Sequence, residues 1–260
     1  MNKNKIGLWI SMAIAVLLIA IKPAVSETKQ VSLTFMQWPP FEYVENGVPK
    51  GIDLEIAKAT LEKMGFEVNL INYPWKRAYN AAKHGEADGI FSMGKRPERE
   101  TDFIYPSEPL IISGWYLYFP KDKVVPFEKD FKALKNLRIG MCDGYIFPKA
   151  FMESDLFERD KSKDDLQNLK KLRGGRVDAI VGDNINCQLL IKKHAMAGLF
   201  KMYEKTPIDI IPMYVGFSKK SKALAQYPNL VKDFSEALKG LKKSGEVDKI
   251  AKKYGITYPK

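Results

Sequence analysis

Arg99 carries the most directed chemistry in this chain. A guanidinium is planar, permanently charged and forked, so it matches a carboxylate through two parallel hydrogen bonds. It lies in the run Pro97-Glu98-Arg99-Glu100-Thr101-Asp102, which leaves two readings open: a clamp for an external anion, or an ion pair with Glu98, Glu100 or Asp102. Trp38 and Trp75 follow predicted strands, and each either flanks the apolar part of a ligand or packs into a core. Arg77, in Pro74-Trp75-Lys76-Arg77, adds a second guanidinium nearby. Asp183 ends a predicted strand at Val181-Gly182-Asp183. It either accepts from an ammonium group or caps the helix that begins at Asn184. Residues of these types suit the capture of a small anionic or zwitterionic molecule.

Chemistry of other kinds lacks its residues. There is no Gly-x-Ser-x-Gly elbow, no Gly-rich phosphate loop and no dinucleotide fingerprint. The chain has 2 histidines, His84 and His194. Both fall near predicted helix C-termini, where a cation meets the helix dipole. Neither has a His or Cys neighbour at ligand spacing, so no metal and no cofactor is expected. Glu42 and Glu45 could pair as acid and base but read as exposed loop residues. Cys142 and Cys187 each follow a predicted strand in the second half of the chain. A disulfide and two separate buried thiols both fit, and only the distance between the sulfurs decides.

The elements that must position these residues alternate between strand and helix. Val31 to Met36 reads as a strand, and Asp53 is placed to cap a helix reaching Met64, with Gly65 as its stop. Within that helix Leu54, Ala57, Leu61 and Met64 lay one apolar stripe. Glu67 to Ile71 is a second strand, Arg77 to His84 a second helix and Gly89 to Ser92 a third strand, which implies parallel βαβ units. Ligands of open α/β sheets bind outside the carboxyl ends of the strands, where Trp38, Trp75 and Arg99 fall.

Ile111 to Phe119 is a long extended segment, and a second α/β pattern follows it: a strand at Leu137 to Met141, a helix at Asp164 to Arg173, a strand at Ala179 to Val181 and a helix at Asn184 to His194. Ile208 to Ser218 is a second extended segment. The helices Asn229 to Lys243 and Val247 to Tyr254 have apolar faces but no strands between them, so they are expected to return to the first unit. The expected division is residues 27–117 plus 213–260 as one lobe and 118–212 as the other, with two extended crossovers forming a hinge around a closing cleft.

Lys3 and Lys5 precede an apolar run from Ile6 to Ile21, and Ala24-Val25-Ser26 offers small residues at the cleavage positions. Residues 1–26 therefore read as a signal peptide cleaved after Ser26; the run is shorter than the roughly 20 residues a spanning helix needs. No cysteine near that point offers a lipid anchor, so a soluble periplasmic protein is expected. The formal charge is +11. Its lysines spread along helical faces, as in Lys239, Lys242, Lys243, Lys249, Lys252 and Lys253, and no nucleic-acid motif accompanies them.

At these residues the chain resembles the extracellular solute-binding proteins of family 3, the polar amino-acid binding subunits of ABC transporters. Those proteins have the two-lobed α/β type II periplasmic binding protein fold. The resemblance runs through Trp38-Pro39-Pro40-Phe41-Glu42-Tyr43, Gly51-Ile52-Asp53-Leu54, Gly85-Glu86-Ala87-Asp88, Pro97-Glu98-Arg99 into Asp102-Phe103, and Pro106-Ser107-Glu108-Pro109. In the second half it continues through Leu137-Arg138-Ile139-Gly140, Gly174-Gly175-Arg176-Val177-Asp178-Ala179, Leu241-Lys242-Lys243-Ser244-Gly245 and Lys252-Lys253-Tyr254. Each is short; in order and at family spacing they are specific.

The resemblance implies that Arg99 clamps a ligand's α-carboxylate, Asp183 holds its α-ammonium, Trp38 and Trp75 flank it, and the amide region of Gly144 completes the carboxylate site. It also implies a monomer that hands a small carboxylate or amino acid to an inner-membrane ABC permease. Two positions depart from the pattern. Ser92-Met93-Gly94 stands where a Gly-x-Thr stretch is usual, and the bulky Tyr145 stands where a small Ser or Thr is usual. With Arg77 nearby, these leave room for a dicarboxylate or other carboxylate. Two further readings remain on the same scaffold: a dehydratase-like enzyme using Asp183 or Tyr145, and a sensor that presents its ligand in trans.

Overall fold

The computed structural model describes residues 28–145 and 147–256; the expected signal peptide lies outside the described residues. The first unit begins with β1 (Lys29–Phe35), a hairpin of β2 (Tyr43–Glu45) and β3 (Val48–Lys50), then α1 (Ile52–Lys63), β4 (Phe66–Asn72), α2 (Trp75–His84) and β5 (Gly89–Gly94). β1 pairs with both β4 and β5 in parallel, as the alternation of strands and helices predicts. A short helix α3 (Pro97–Glu100) and strand β6 (Phe103–Ile104) lead to β7 (Ile111–Pro120).

The second unit holds β8 (Arg138–Cys142), α4 (Lys149–Glu153), β9 (Glu158–Ser162), α5 (Asp165–Arg173), β10 (Ala179–Asp183), α6 (Asn184–Lys193) and β11 (Phe200–Met202). β12 (Asp209–Ser218) then runs back, and α7 (Lys222–Gln226), α8 (Leu230–Lys243) and α9 (Glu246–Lys253) close the described chain. α8 buries Leu230, Phe234, Leu238 and Leu241 at helical spacing and packs on α1, while Phe234 meets Phe217 of β12 edge to face at 5.4 Å. The last helices thus cover the first unit, and Lys239, Lys243, Lys249, Lys252 and Lys253 face solvent. Lys242 instead reaches back to Glu108 at 3.2 Å and the Pro109 carbonyl.

One sheet runs through both lobes in the order β4-β1-β5-β12-β7-β10-β8-β9. Its middle is the antiparallel pair β7 and β12, the two extended crossovers, which register Trp115 against Asp209 and Ile111 against Met213. β7 also pairs with β10, setting Trp115 against Asp183. The crossovers are β-branched and aromatic, alternate in burial, and hydrogen-bond on both edges. They therefore form the floor on which both lobes stand.

One local expectation changes, and one open alternative is decided. The N-cap of α1 is Gly51, not Asp53. Gly51 has φ 134°, and a Cβ there would lie 2.2 Å from the Phe41 carbonyl oxygen, so the chain passes too close for any side chain. Asp53 falls at the second position of the helix instead and is buried. The cysteines are also not bonded: Cys142 and Cys187 are free and buried. Cys142 donates to Asp165 at 3.3 Å, while Cys187, on α6, packs under Gly182.

Candidate functional site

Arg99 sits on the one-turn helix α3, where Pro97 at the first position fixes the entry and the Arg99 amide closes back on the Arg96 carbonyl at 3.0 Å. This turn directs the side chain inward, and the residue is only 6% exposed. Its guanidinium donates to the Gly94 carbonyl at 3.1 Å and the Gly144 carbonyl at 3.4 Å, and stacks 5.1 Å from the Trp75 ring and 5.7 Å from Tyr79. Burial pulls its pKa down. No ion pair forms on it among the described residues: the acids beside it in sequence go elsewhere, Glu100 to Lys95 and Asp102 to Lys83. A guanidinium has five N–H donors, and two carbonyls leave donors over.

Arg99 forms one wall of a cavity whose other lining includes Trp38, Trp75, Trp115, Tyr145 and Ser92. Met36, Gly94, Arg96, Ile211 and Met213 complete it. The free volume is about 30 Å³, room for a water or two and too little for an amino acid. Aromatic rings fill the rest. Trp38 and Trp115 are stacked 6.2 Å apart at 7°, and Tyr145 stands edge-on to Trp115 at 5.2 Å and to Trp75 at 6.0 Å. The indole N–H groups of Trp38 and Trp115 are buried without an acceptor.

Ser92 lines the cavity in a left-handed backbone conformation, φ 49°, which a non-glycine residue adopts only when its surroundings hold it. The hold is visible: Ser92 Oγ donates to Asp53 Oδ2 at 2.5 Å. Behind this layer stand two carboxyls. Asp53 is fully buried, and burial lifts its pKa to about 7. Glu42, expected in an exposed loop, is 1% exposed. Its Oε1 accepts from the Met36 amide at 3.4 Å, and burial, then the neighbouring Asp53, push its pKa well up. Oε2 of Glu42 and Oδ1 of Asp53 lack partners.

Two expected site residues, Asp183 and Arg77, are placed away from the cavity, and Gly144 meets its lining in another way than expected. Asp183 is the N-cap of α6: Oδ1 accepts from the amides of Ile185 at 2.9 Å and Asn186 at 2.7 Å, and Oδ2 from Ser113 at 2.7 Å. It does not line the cavity, and burial raises its pKa to about 6. Arg77 is exposed and lies over the Tyr73 ring at 4.1 Å, because α2 turns it outward; Arg96, ion-paired with Asp209 at 2.5 Å, is the second arginine on the wall. Gly144 presents its carbonyl to Arg99 and to Trp75 Nε1 (3.1 Å), not its amide.

Contacts across the cleft hold the lobes together. Besides those of Gly144, Lys76 pairs with Asp143 at 2.5 Å, and Asn186 Nδ2 donates to the Pro39 carbonyl. Sequence reasoning missed Trp115, Met36, Arg96, Ile211 and Met213. For Trp115 the signal was available. Alternation along Ile111 to Pro120 sets it on the buried face of a segment already expected to cross beneath the cleft. Among the described residues no helix is long and apolar enough to cross a membrane, and no group of three or more His, Cys, Asp or Glu could hold a metal ion.

The sequence profile of the bacterial extracellular solute-binding proteins, family 3, matches residues 32–257. Among curated relatives, the arginine-binding periplasmic protein of Mannheimia haemolytica is 29% identical over 220 residues, covering 84% of this chain and 87% of its own. The arginine-binding extracellular protein ArtP of Bacillus subtilis is 26% identical over 239 residues, covering 87% and 86%. Among solved structures, an ancestral arginine-binding protein bound to arginine superposes with a TM-score of 0.74 at 23% identity, covering 87% of this chain and 98% of that one. That likeness shows a shared fold, the type II periplasmic binding protein fold.

Proposed function

Because this chain belongs to the bacterial extracellular solute-binding proteins of family 3, we propose that it captures a small carboxylate-bearing solute, an amino acid or related organic acid, between its lobes and delivers it to an inner-membrane ABC transporter. One observation carries the solute class: a buried guanidinium, Arg99, with no ion pair on a cavity wall. An uncompensated buried charge is costly, and an incoming carboxylate removes the cost with two charge-assisted bonds. The relatives named above bind arginine, a carboxylate-bearing solute.

In this reading residues 27–117 plus 213–260 form one jaw and 118–212 the other, hinged at β7 and β12. The Gly144 carbonyl occupies Arg99 when the jaws meet empty, and the solute carboxylate takes its place. Trp38 and Trp75 flank the solute's body. The precursor is exported through its first 26 residues and acts in the periplasm as a monomer. Lys76–Asp143 and Asn186–Pro39 favour closure around the solute.

A thermal-shift screen of amino acids and organic acids, followed by calorimetry on the best binder, tests the reading. Arg99→Ala is expected to weaken binding at least a hundredfold while the circular dichroism spectrum stays the same. Unchanged affinity in that variant overturns the site.

A further inference from the structure

The cavity is rich in donors and holds no carboxylate. Arg99, with N–H groups to spare, lines it beside Trp38 and Trp115, whose indole N–H groups are buried and without an acceptor. Trp75 Nε1 already donates to the Gly144 carbonyl, the Ser92 hydroxyl to Asp53, and the Tyr145 hydroxyl to the Met36 sulfur at 3.7 Å. Arg96 is neutralised by Asp209.

The acceptors near the cavity either already accept a hydrogen bond or stand off its lining. The Gly94 carbonyl is taken by Arg99. Both oxygens of Asp183 are taken by the α6 amides and Ser113, and the residue stands off the lining. Glu42 and Asp53 accept from the Met36 amide and the Ser92 hydroxyl; each keeps one oxygen without a partner, but neither residue lines the cavity. An ammonium entering here would meet an uncompensated guanidinium, aromatic faces and two hydroxyl oxygens. Cation–π contact offsets only part of an ammonium's desolvation. An anion with several acceptor oxygens would satisfy every orphaned donor at once.

We propose that the solute is an organic acid without an ammonium group, its carboxylate oxygens read by Arg99 and the N–H groups of Trp38 and Trp115. This rests on the cavity being the solute site, and it narrows the solute class of that same site. Trp38 and Trp115 become specificity-determining residues. They supply directional donors as well as apolar walls, and a buried donor left unpaired penalises any ligand that cannot accept from it.

Matched pairs test the proposal directly by calorimetry on the mature protein: phenylpropanoate against phenylalanine, glutarate against glutamate, imidazolepropanoate against histidine, and guanidinovalerate against arginine. At least one acid is expected to bind tenfold or more tightly than its amino-acid partner. Trp115→Phe, which keeps a ring in the stack but deletes the N–H, is expected to weaken that acid about tenfold. Trp38→Phe serves the same purpose if Trp115→Phe does not fold. An amino acid that binds as tightly as its deaminated partner overturns the proposal, as does failure of every acid to bind. If an amino acid wins and Arg99→Ala abolishes its binding, the solute site stands and only the ammonium-free class falls. If the bound solute ignores Arg99→Ala, the site itself is wrong.

Discussion

The Gly144 carbonyl oxygen accepts from Trp75 Nε1 at 3.1 Å, joining the tip of the second lobe to the first turn of α2. Gly144 has φ 83°, and a Cβ there would lie 3.0 Å from the Trp75 ring. Gly144→Ala therefore combines backbone strain with a contact in the cleft. It is expected to hold the jaws ajar, lower solute affinity about tenfold and cost about 1 kcal/mol of stability. Small-angle scattering with calorimetry checks this; an unchanged radius of gyration together with unchanged affinity would rule out the latch.

Tyr145 fills much of the cavity proposed for the solute. Its ring packs on both Trp75 and Trp115, and the free volume beside it is about 30 Å³. Tyr145→Ser, which places at this position the small residue that the resemblance leads one to expect, is expected to enlarge the cavity and raise affinity for solutes with longer side chains relative to short ones. It should also cost about 1–3 kcal/mol from lost aromatic packing. Competition calorimetry with a series of chain lengths reads the change, and an unaltered size preference contradicts it.

Asp53 makes stability depend on pH. Its pKa is about 7 in the folded chain against an ordinary 3.8, because burial disfavours the charge. A carboxyl whose pKa rises on folding keeps its proton while the unfolded chain releases it. Its contribution is fully present below about 3.8 and is lost as the pH climbs to about 7. The stability of Asp53→Asn minus that of the native chain should accordingly rise across this window and level off above it. Urea midpoints at a series of pH values measure the difference, and a difference independent of pH would falsify the assignment.

Cys142 and Cys187 are buried, and burial pushes both thiols up. Thiolate is the reactive form. Both are expected to resist an aromatic disulfide reagent in the folded protein and to react fully after denaturation, with reducing agent leaving the melting temperature unchanged. A lowered melting temperature under reduction would mean that they are bonded in solution.

Much of the scaffold was legible because local rules agreed with one another. The apolar periodicity of Leu54, Ala57 and Leu61 and the alternation along Ile111 to Pro120 each had one interpretation, and the elements formed where expected. The expectations failed where close approach overrode propensity. Asp53 has the chemistry of an N-cap, yet the tight passage of Gly51 against Phe41 moves the cap and turns Asp53 toward Ser92. Glu42 looks like a loop carboxylate, yet the segment around Trp38 folds it under the cavity. Arg77 and Arg96 are both arginines near Arg99, but helical phase exposes the first, and the ion pair to Asp209 of β12 holds the second on the cavity wall.

The amino-acid sequence by itself determined the alternating strands and helices, the two extended crossovers and the family, because each depends on residue type and on neighbours within a few positions. Tertiary structure alone decided what surrounds Arg99. Trp38, Trp75, Trp115 and Tyr145 come from four separate segments and meet only because β7 and β12 pair in one register and the lobes close. Which donors remain unpaired, and so what the cavity accepts, follows from that meeting and from no stretch of sequence alone.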